Sequence, residues 1–185
     1  METWIAVFLT GAGFLFIAKL VYVISAGSVL SKTKGALFVS TPGTMVKAFL
    51  DNVPMGPDDL LVDLGCGDGR VLRAAKKRYK VRTLGIEINP LAFLLGKILS
   101  IFVNGVVIRR GDFWKHDVSD ATVIFCYLFP DVLVQLSEKL KRELRPGTVV
   151  ASCNFPIAGW DTSMVIPARK DLNGDPLYIY RLPDI

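Results

Sequence analysis

The chain has 185 residues, enough for one domain with a full core and one small extra element. With 51% hydrophobic and 21% charged residues, it falls outside the disordered class. A net charge of +5 favours acidic partners or an anionic membrane surface, and no Lys/Arg run is long enough to suggest a nucleic-acid tail.

The N-terminus is the most apolar part. Between Trp4 and Leu30 the only charged residue is Lys19. The stretch is long enough to cross a hydrocarbon core of about 30 Å as a helix. Glu2, and no Lys or Arg, precedes it, so it makes a poor secretory signal. Lys32 and Lys34 follow it and place the rest of the chain on the cytoplasmic, or an equivalent interior, side. Residues 1–34 are therefore expected to form a single-pass membrane anchor and connector, and residues 35–185 the domain. An amphipathic helix that never spans is the plainer alternative.

Thr41-Pro42 reads as an N-cap and first helical position, with Met45, Val46, Phe49 and Leu50 on one face of the helix that follows. Pro54, Gly56 and Pro57 end it. Leu60–Leu64 is an apolar strand, and Val71, Leu72, Ala74 and Ala75 begin a helix that closes in a basic stretch, Lys76 to Lys80. Strands are expected at Thr83–Ile88, Val106–Ile108, Ala121–Cys126 and Thr148–Ser152. Helices are expected at Leu91–Phe102 and Asp131–Leu144. Met164–Ala168 and Leu177–Leu182 flank Asn173-Gly174, a strong turn pair, and read as a hairpin. This alternation predicts an α/β fold: a doubly wound, mostly parallel sheet with a C-terminal β-hairpin, preceded by the N-terminal apolar helix.

The chemistry concentrates in LVDLGCGDGR, residues 61–70. A buried strand delivers Asp63 to the sheet edge, and three glycines at alternate positions let a ligand approach the backbone. The spacing is Gly-x-Gly-x-Gly, not the Gly-x-Gly-x-x-Gly of dinucleotide binding, which argues against a nicotinamide oxidoreductase. Asp63 and Asp68 would repel a pyrophosphate, whereas S-adenosylmethionine offers an α-ammonium and a sulfonium. Glu87, in GIEINP (85–90), is placed to accept ribose hydroxyl hydrogens. Asp112, in GDFWKHD (111–117), is placed to accept an adenine amino proton with Phe113 or Trp114 beside the ring. Each acid ends a successive strand.

Residues 38–182 resemble the class I, seven-stranded methyltransferases. More narrowly, they resemble the small lysine methyltransferases of archaea and their animal mitochondrial relatives, which modify ATP synthase subunit c and the adenine nucleotide translocator. The matching stretches are FVSTP (38–42), DLGCGDGR (63–70), GIEINP, GDFW (111–114), LKRELRPGTVV (140–150) and NFPIAGW (154–160). The resemblance implies S-adenosylmethionine as cofactor, with Thr41, Asp63, Gly65, Cys66, Gly67, Glu87, Ile88, Asp112 and Phe113 around it. FVSTP would close over it from the N-terminal side. Tyr127, Phe129, Asn154, Phe155 and Trp160 would border the acceptor, a lysine of a protein substrate, with a membrane protein among the expected substrates. A monomer is expected, without nucleic acid. A lipophilic acceptor entering from the bilayer, or a cofactor-binding module without transfer, are the competing readings.

Cys66, Cys126 and Cys153 form no Cys-x-x-Cys pair, so no metal is expected, and they read as small buried fillers. His116, the only histidine, reads as a loop residue, and Trp160 as either core or acceptor wall.

Overall fold

The computed structural model describes residues 39–168, 170 and 174–183, together with Gly13, Phe16, Ile17, Lys19, Leu20 and Val23. Those six positions have helical backbone and are exposed. The rest of the expected anchor, residues 1–34, lies outside the described residues, as does Asn173 of the expected turn. Among the described residues no helix is long and apolar enough to cross a membrane.

Seven strands form one sheet: β1 (Leu60–Leu64), β2 (Arg82–Glu87), β3 (Val106–Arg110), β4 (Val123–Cys126), β5 (Val149–Cys153), β6 (Met164–Ile166) and β7 (Leu177–Arg181). Their order is β3-β2-β1-β4-β5-β7-β6. The first five run parallel. β7 is antiparallel between β5 and β6, so the expected hairpin is present with its second strand inserted toward the sheet centre. Among the described residues from 39 onward, four α-helices complete the layers: α1 (Gly43–Asn52), α2 (Arg70–Tyr79), α3 (Pro90–Ser100) and α4 (Pro130–Glu143).

Side-chain alternation along the strands sorts the core into two layers. Leu61, Val123, Phe125, Ala151 and Cys153 pack on one face with Met45, Phe49 and Leu72 from α1 and α2. Val62, Leu64, Ile86, Ile124 and Val150 pack on the other with Leu133, Leu136 and Leu140 of α4 and with Tyr180. Strand order reverses at β1, which has β2 on one side and β4 on the other. Ligands of open α/β sheets bind beyond the strand ends at such a point.

Two local expectations are corrected. Thr41 is not the N-cap of α1: the helix starts at Gly43, and Pro42 occupies the cap position without a side-chain bond. The cause is a contact distant in sequence, because the Thr41 carbonyl accepts from Arg70 Nη1 at 3.0 Å and holds the segment extended over the sheet edge. β3 runs two residues further than expected, to Arg110, and Arg109 and Arg110 are exposed on this edge strand. Charged residues suit an edge, which otherwise offers unpaired backbone to other chains. Asn89-Pro90 does act as a helix start, with the Asn89 side chain accepting from Leu91 N at 2.9 Å and Ala92 N at 3.2 Å.

Gly85 pairs with Asp63 across β1 and β2. A Cβ on it would lie 2.5 Å from both Cys66 Sγ and Leu72 Cδ1, so the strand needs glycine where the loop folds back onto it. Gly85→Ala is expected to destabilise the domain by about 1–3 kcal/mol through overpacking. The measurement is the urea midpoint, which should fall at unchanged slope.

Candidate active site

The loop between β1 and α2 is bound back onto β2. Gly65 N and Cys66 N both donate to Ile86 O, at 2.9 and 3.2 Å, and Gly69 N donates to Cys66 O at 2.8 Å. Gly65, Gly67 and Gly69 have φ of +78°, +54° and +74°, the left-handed region that favours glycine. Gly67 N donates to Glu87 Oε2 at 2.8 Å, and Glu87 Oε1 accepts from Asn89 N at 2.7 Å. Glu87 thus staples the glycine loop to the start of α3. Gly111 N reaches Glu87 O at 2.9 Å, bringing the end of β3 to the same corner.

The cleft beside this loop is lined by Val39, Ser40, Thr41, Asp63, Gly65, Cys66, Gly67, Asp68, Arg70, Phe125 and Tyr127. Five of the cofactor residues expected from sequence therefore meet in it: Thr41, Asp63, Gly65, Cys66 and Gly67. Glu87 lies buried behind the loop, and Ile88 is half-buried beside it. Asp112 caps the short 3-10 turn Phe113–Lys115, its side chain accepting from Trp114 N at 3.1 Å. Phe113 stacks at a tilt on Trp114, with centroids 4.9 Å apart, against the α4 side of the core. His116 sits under the same turn, its Nδ1 3.0 Å from the Asp112 carbonyl.

The acceptor-side residues spread more widely. Tyr127 lines the cleft. Phe129 caps α4 and is 49% exposed. Asn154 turns the chain after β5 with φ +69° and donates its N–H to Pro176 O at 2.8 Å. Phe155 packs on the α4 side, and its carbonyl accepts from Ser152 Oγ at 2.7 Å. Trp160 meets Tyr180 edge-on at 5.7 Å and donates to Ser137 Oγ at 3.3 Å, so it is taken up by packing. All three cysteines are buried and free, and Cys126 is pushed up to about 12 by burial. Among the described residues there is no cluster able to hold a metal ion.

Two participants carried no role in the sequence reading. Arg70 makes a two-nitrogen bridge to Asp68, with Nη2–Oδ2 at 2.7 Å, and ties the Thr41 carbonyl to it. Its spacing of two from Asp68 was a readable local signal. Asp175 accepts the Tyr127 hydroxyl at 2.6 Å across 48 residues of sequence, and no local pattern announces it.

The electrostatics isolate one group. Burial pushes Asp68 upward, but the Arg70 bonds outweigh it and hold the carboxyl below its usual range. Burial pushes Glu87 up, partly offset by its backbone donors. Asp63 is raised furthest, first by burial and then by the neighbouring Glu87 and Asp68 charges. It is 3% exposed, lines the cleft, and among the described residues no donor reaches its carboxylate. A buried carboxylate between two others, open to a cleft, calls for a cation from outside the chain.

A model of the ANTKMT methyltransferase domain matches residues 63–164, more than half of the chain. The chain belongs to this family. A protein-lysine N-methyltransferase of Saccharolobus islandicus is 36% identical over 148 residues, covering 77% of this chain and 91% of the relative. The adenine nucleotide translocase lysine N-methyltransferase of Mus musculus is 34% identical over 114 residues, covering 60% of this chain and 50% of the relative. The chain thus spans about half the length of that animal relative. A crystal structure of an RNA methyltransferase from Salinibacter ruber with S-adenosyl-L-homocysteine superposes with a TM-score of 0.74 at 33% identity, over 80% of this chain and 95% of that one. The domain is an S-adenosylmethionine-dependent methyltransferase, and Asp63, which no donor among the described residues reaches, suits the cofactor's ammonium.

A raised carboxyl binds a proton in the native state at pH values where the unfolded chain has lost it. Stability without cofactor therefore falls as pH rises from the ordinary carboxylate range through the raised value of Asp63. Asp63→Asn is expected to stabilise the cofactor-free protein at neutral pH by about 1 kcal/mol, or roughly 2–4 °C. The same change should weaken cofactor affinity about ten- to a hundredfold, as for a lost hydrogen bond to a charged group. Thermal melts with and without cofactor check both signs.

Proposed function

We propose that the protein is a protein-lysine N-methyltransferase whose active site works close to a membrane. The observation that carries this is the cleft built around Asp63, in a chain that covers nearly all of an archaeal relative named for lysine methylation. When bound, S-adenosylmethionine supplies a methyl group on a positive sulfur that leaves as a neutral sulfide.

Asp63 meets the α-ammonium, and the raised, buried carboxyl loses its proton as it does so. Glu87 spends one acceptor site of each oxygen on Gly67 and Asn89, which leaves the others for ribose hydroxyls. Asp112 accepts from the adenine amine beside Phe113. Residues 39–41, pinned through Arg70, cover the methionine end and keep water out.

On the acceptor side, Tyr127, Phe129, Asn154 and Phe155 border the approach, while Trp160 is taken up by packing. An apolar, aromatic surround disfavours the charged amine, so lysine arrives with its lone pair free. Burial and the Asp175 contact hold the Tyr127 phenol above its ordinary range, so it stays protonated at neutral pH. Its hydrogen goes to Asp175, and its oxygen is left to accept an N–H from the amine and aim the lone pair at the methyl. Tyr127 orients; Asp175 positions Tyr127. Residues 1–34, read as an anchor with the catalytic domain on the interior side, would raise the effective concentration of membrane-embedded substrates.

The test is incubation with methyl-labelled cofactor and a membrane extract from the protein's own source. Methyl-lysine in a discrete protein band, absent with Asp63→Ala, is the expected result. Label only in the solvent-extractable fraction identifies a lipophilic acceptor, and label only in nucleic acid points to the activity named for the Salinibacter ruber neighbour. Binding without any label identifies a module without transfer. With a lysine substrate in hand, Tyr127→Phe should lower kcat/KM about five- to tenfold, because it removes the oxygen that accepts the amine's N–H; an unchanged kcat/KM would mean that the hydroxyl serves only Asp175. Asp175→Asn should give a smaller fall at unchanged cofactor affinity.

A further inference from the structure

Helix α3 is built inside out. Its buried stripe consists of small residues, Ala92, Gly96 and Ser100. Its large apolar residues face away from the sheet: Leu94, Leu95, Ile98 and Leu99 are exposed, and the turn that follows adds Ile101 at 73% and Phe102 at 87%. The small stripe is required by the site, because a Cβ on Gly96 would lie 3.0 Å from Gly67 O and 3.2 Å from Asp68 C. The outward stripe has no such explanation. Surface helices ordinarily turn such a stripe toward the core, and a contiguous apolar patch of this kind marks an interaction site.

The charge contributed by this segment has one sign. From Ile88 to Gly111 the only charged residues are Lys97, Arg109 and Arg110. All three are exposed, and among the described residues none is in an ion pair. We infer that the face formed by α3, its following turn and the edge of β3 docks onto an anionic lipid surface. The large apolar side chains enter the headgroup boundary while Lys97 and Arg110, which lies on the same face of β3 as Ile108, meet lipid phosphates and carboxylates. A second copy of the chain fits poorly, since a two-fold pairing would bring like charges together. The described apolar positions ahead of residue 39 (Phe16, Ile17, Leu20 and Val23) are themselves exposed and do not cover the patch. α3 starts at the rim of the cofactor cleft, with Asn89 two residues beyond Glu87. This contact is separate from the anchor proposed for residues 1–34, and it does not depend on which acceptor is methylated.

The test uses the full chain carrying Phe102→Cys, labelled with an environment-sensitive fluorophore. The native thiols are buried, which directs the label to position 102, and cofactor binding serves as the control for folding. Phosphatidylcholine vesicles containing phosphatidylserine should shift the emission to the blue, and vesicles of phosphatidylcholine alone should shift it far less. Adding Lys97→Gln and Arg110→Gln should weaken the response about thirtyfold, as expected for two basic residues at a charged surface. An unshifted label on protein that still sediments with the vesicles overturns the inference, because another segment then holds the membrane. A shift that grows with protein concentration without vesicles overturns it in favour of self-association.

Discussion

Asp63 holds a carboxylate inside the sheet, at the reversal of strand order, with two further carboxylates near it and no donor of its own among the described residues. Burying such a group costs stability unless a cation arrives. The surrounding structure can be understood from that constraint. Gly85, the register partner of Asp63, carries no side chain, so that the loop folds back over β2. Glu87 takes up backbone donors from the loop, and Arg70 neutralises Asp68. What remains uncompensated is one negative charge facing the cleft. A cofactor bearing an ammonium completes the site, and the cofactor-free domain gives up stability to keep it ready.

The same loop explains the odd character of α3. Its inner face must be small because the glycine loop presses against Gly96. The loop places no such demand on the outer face, where the large apolar residues stand. That arrangement leaves an apolar, positively bordered face next to the cleft rim. The proposed lipid contact and the proposed anchor would then act on the same problem from two ends of the domain, holding the site near substrates that do not leave the bilayer.

Much of this was legible in the sequence, and the limits have physical causes. The strands and helices of the central sheet follow from apolar period and turn residues, and the Asn89-Pro90 helix start from cap chemistry. The cleft residues Asp63, Gly65, Cys66 and Gly67 were readable because one short loop supplies them. Thr41 reads as a cap and, through the family resemblance, as part of a segment closing over the cofactor; that the distant Arg70 guanidinium holds this segment was not readable. Asp175 was invisible, because its meaning depends on a hydroxyl 48 residues away. Trp160 offered two readings from composition, and its contacts with Tyr180 and Ser137 place it in the packing of α4. Local chemistry is written locally; contacts closed by the sheet are not.

The most direct test of the central claim is the proton inventory of cofactor binding. Titration calorimetry in mildly acidic buffers of different ionisation enthalpy counts protons released when S-adenosylmethionine binds. The account predicts a net release that is absent in Asp63→Asn, as a protonated buried carboxyl gives up its proton to receive the ammonium. Binding heats independent of the buffer, in the wild-type protein, would contradict it.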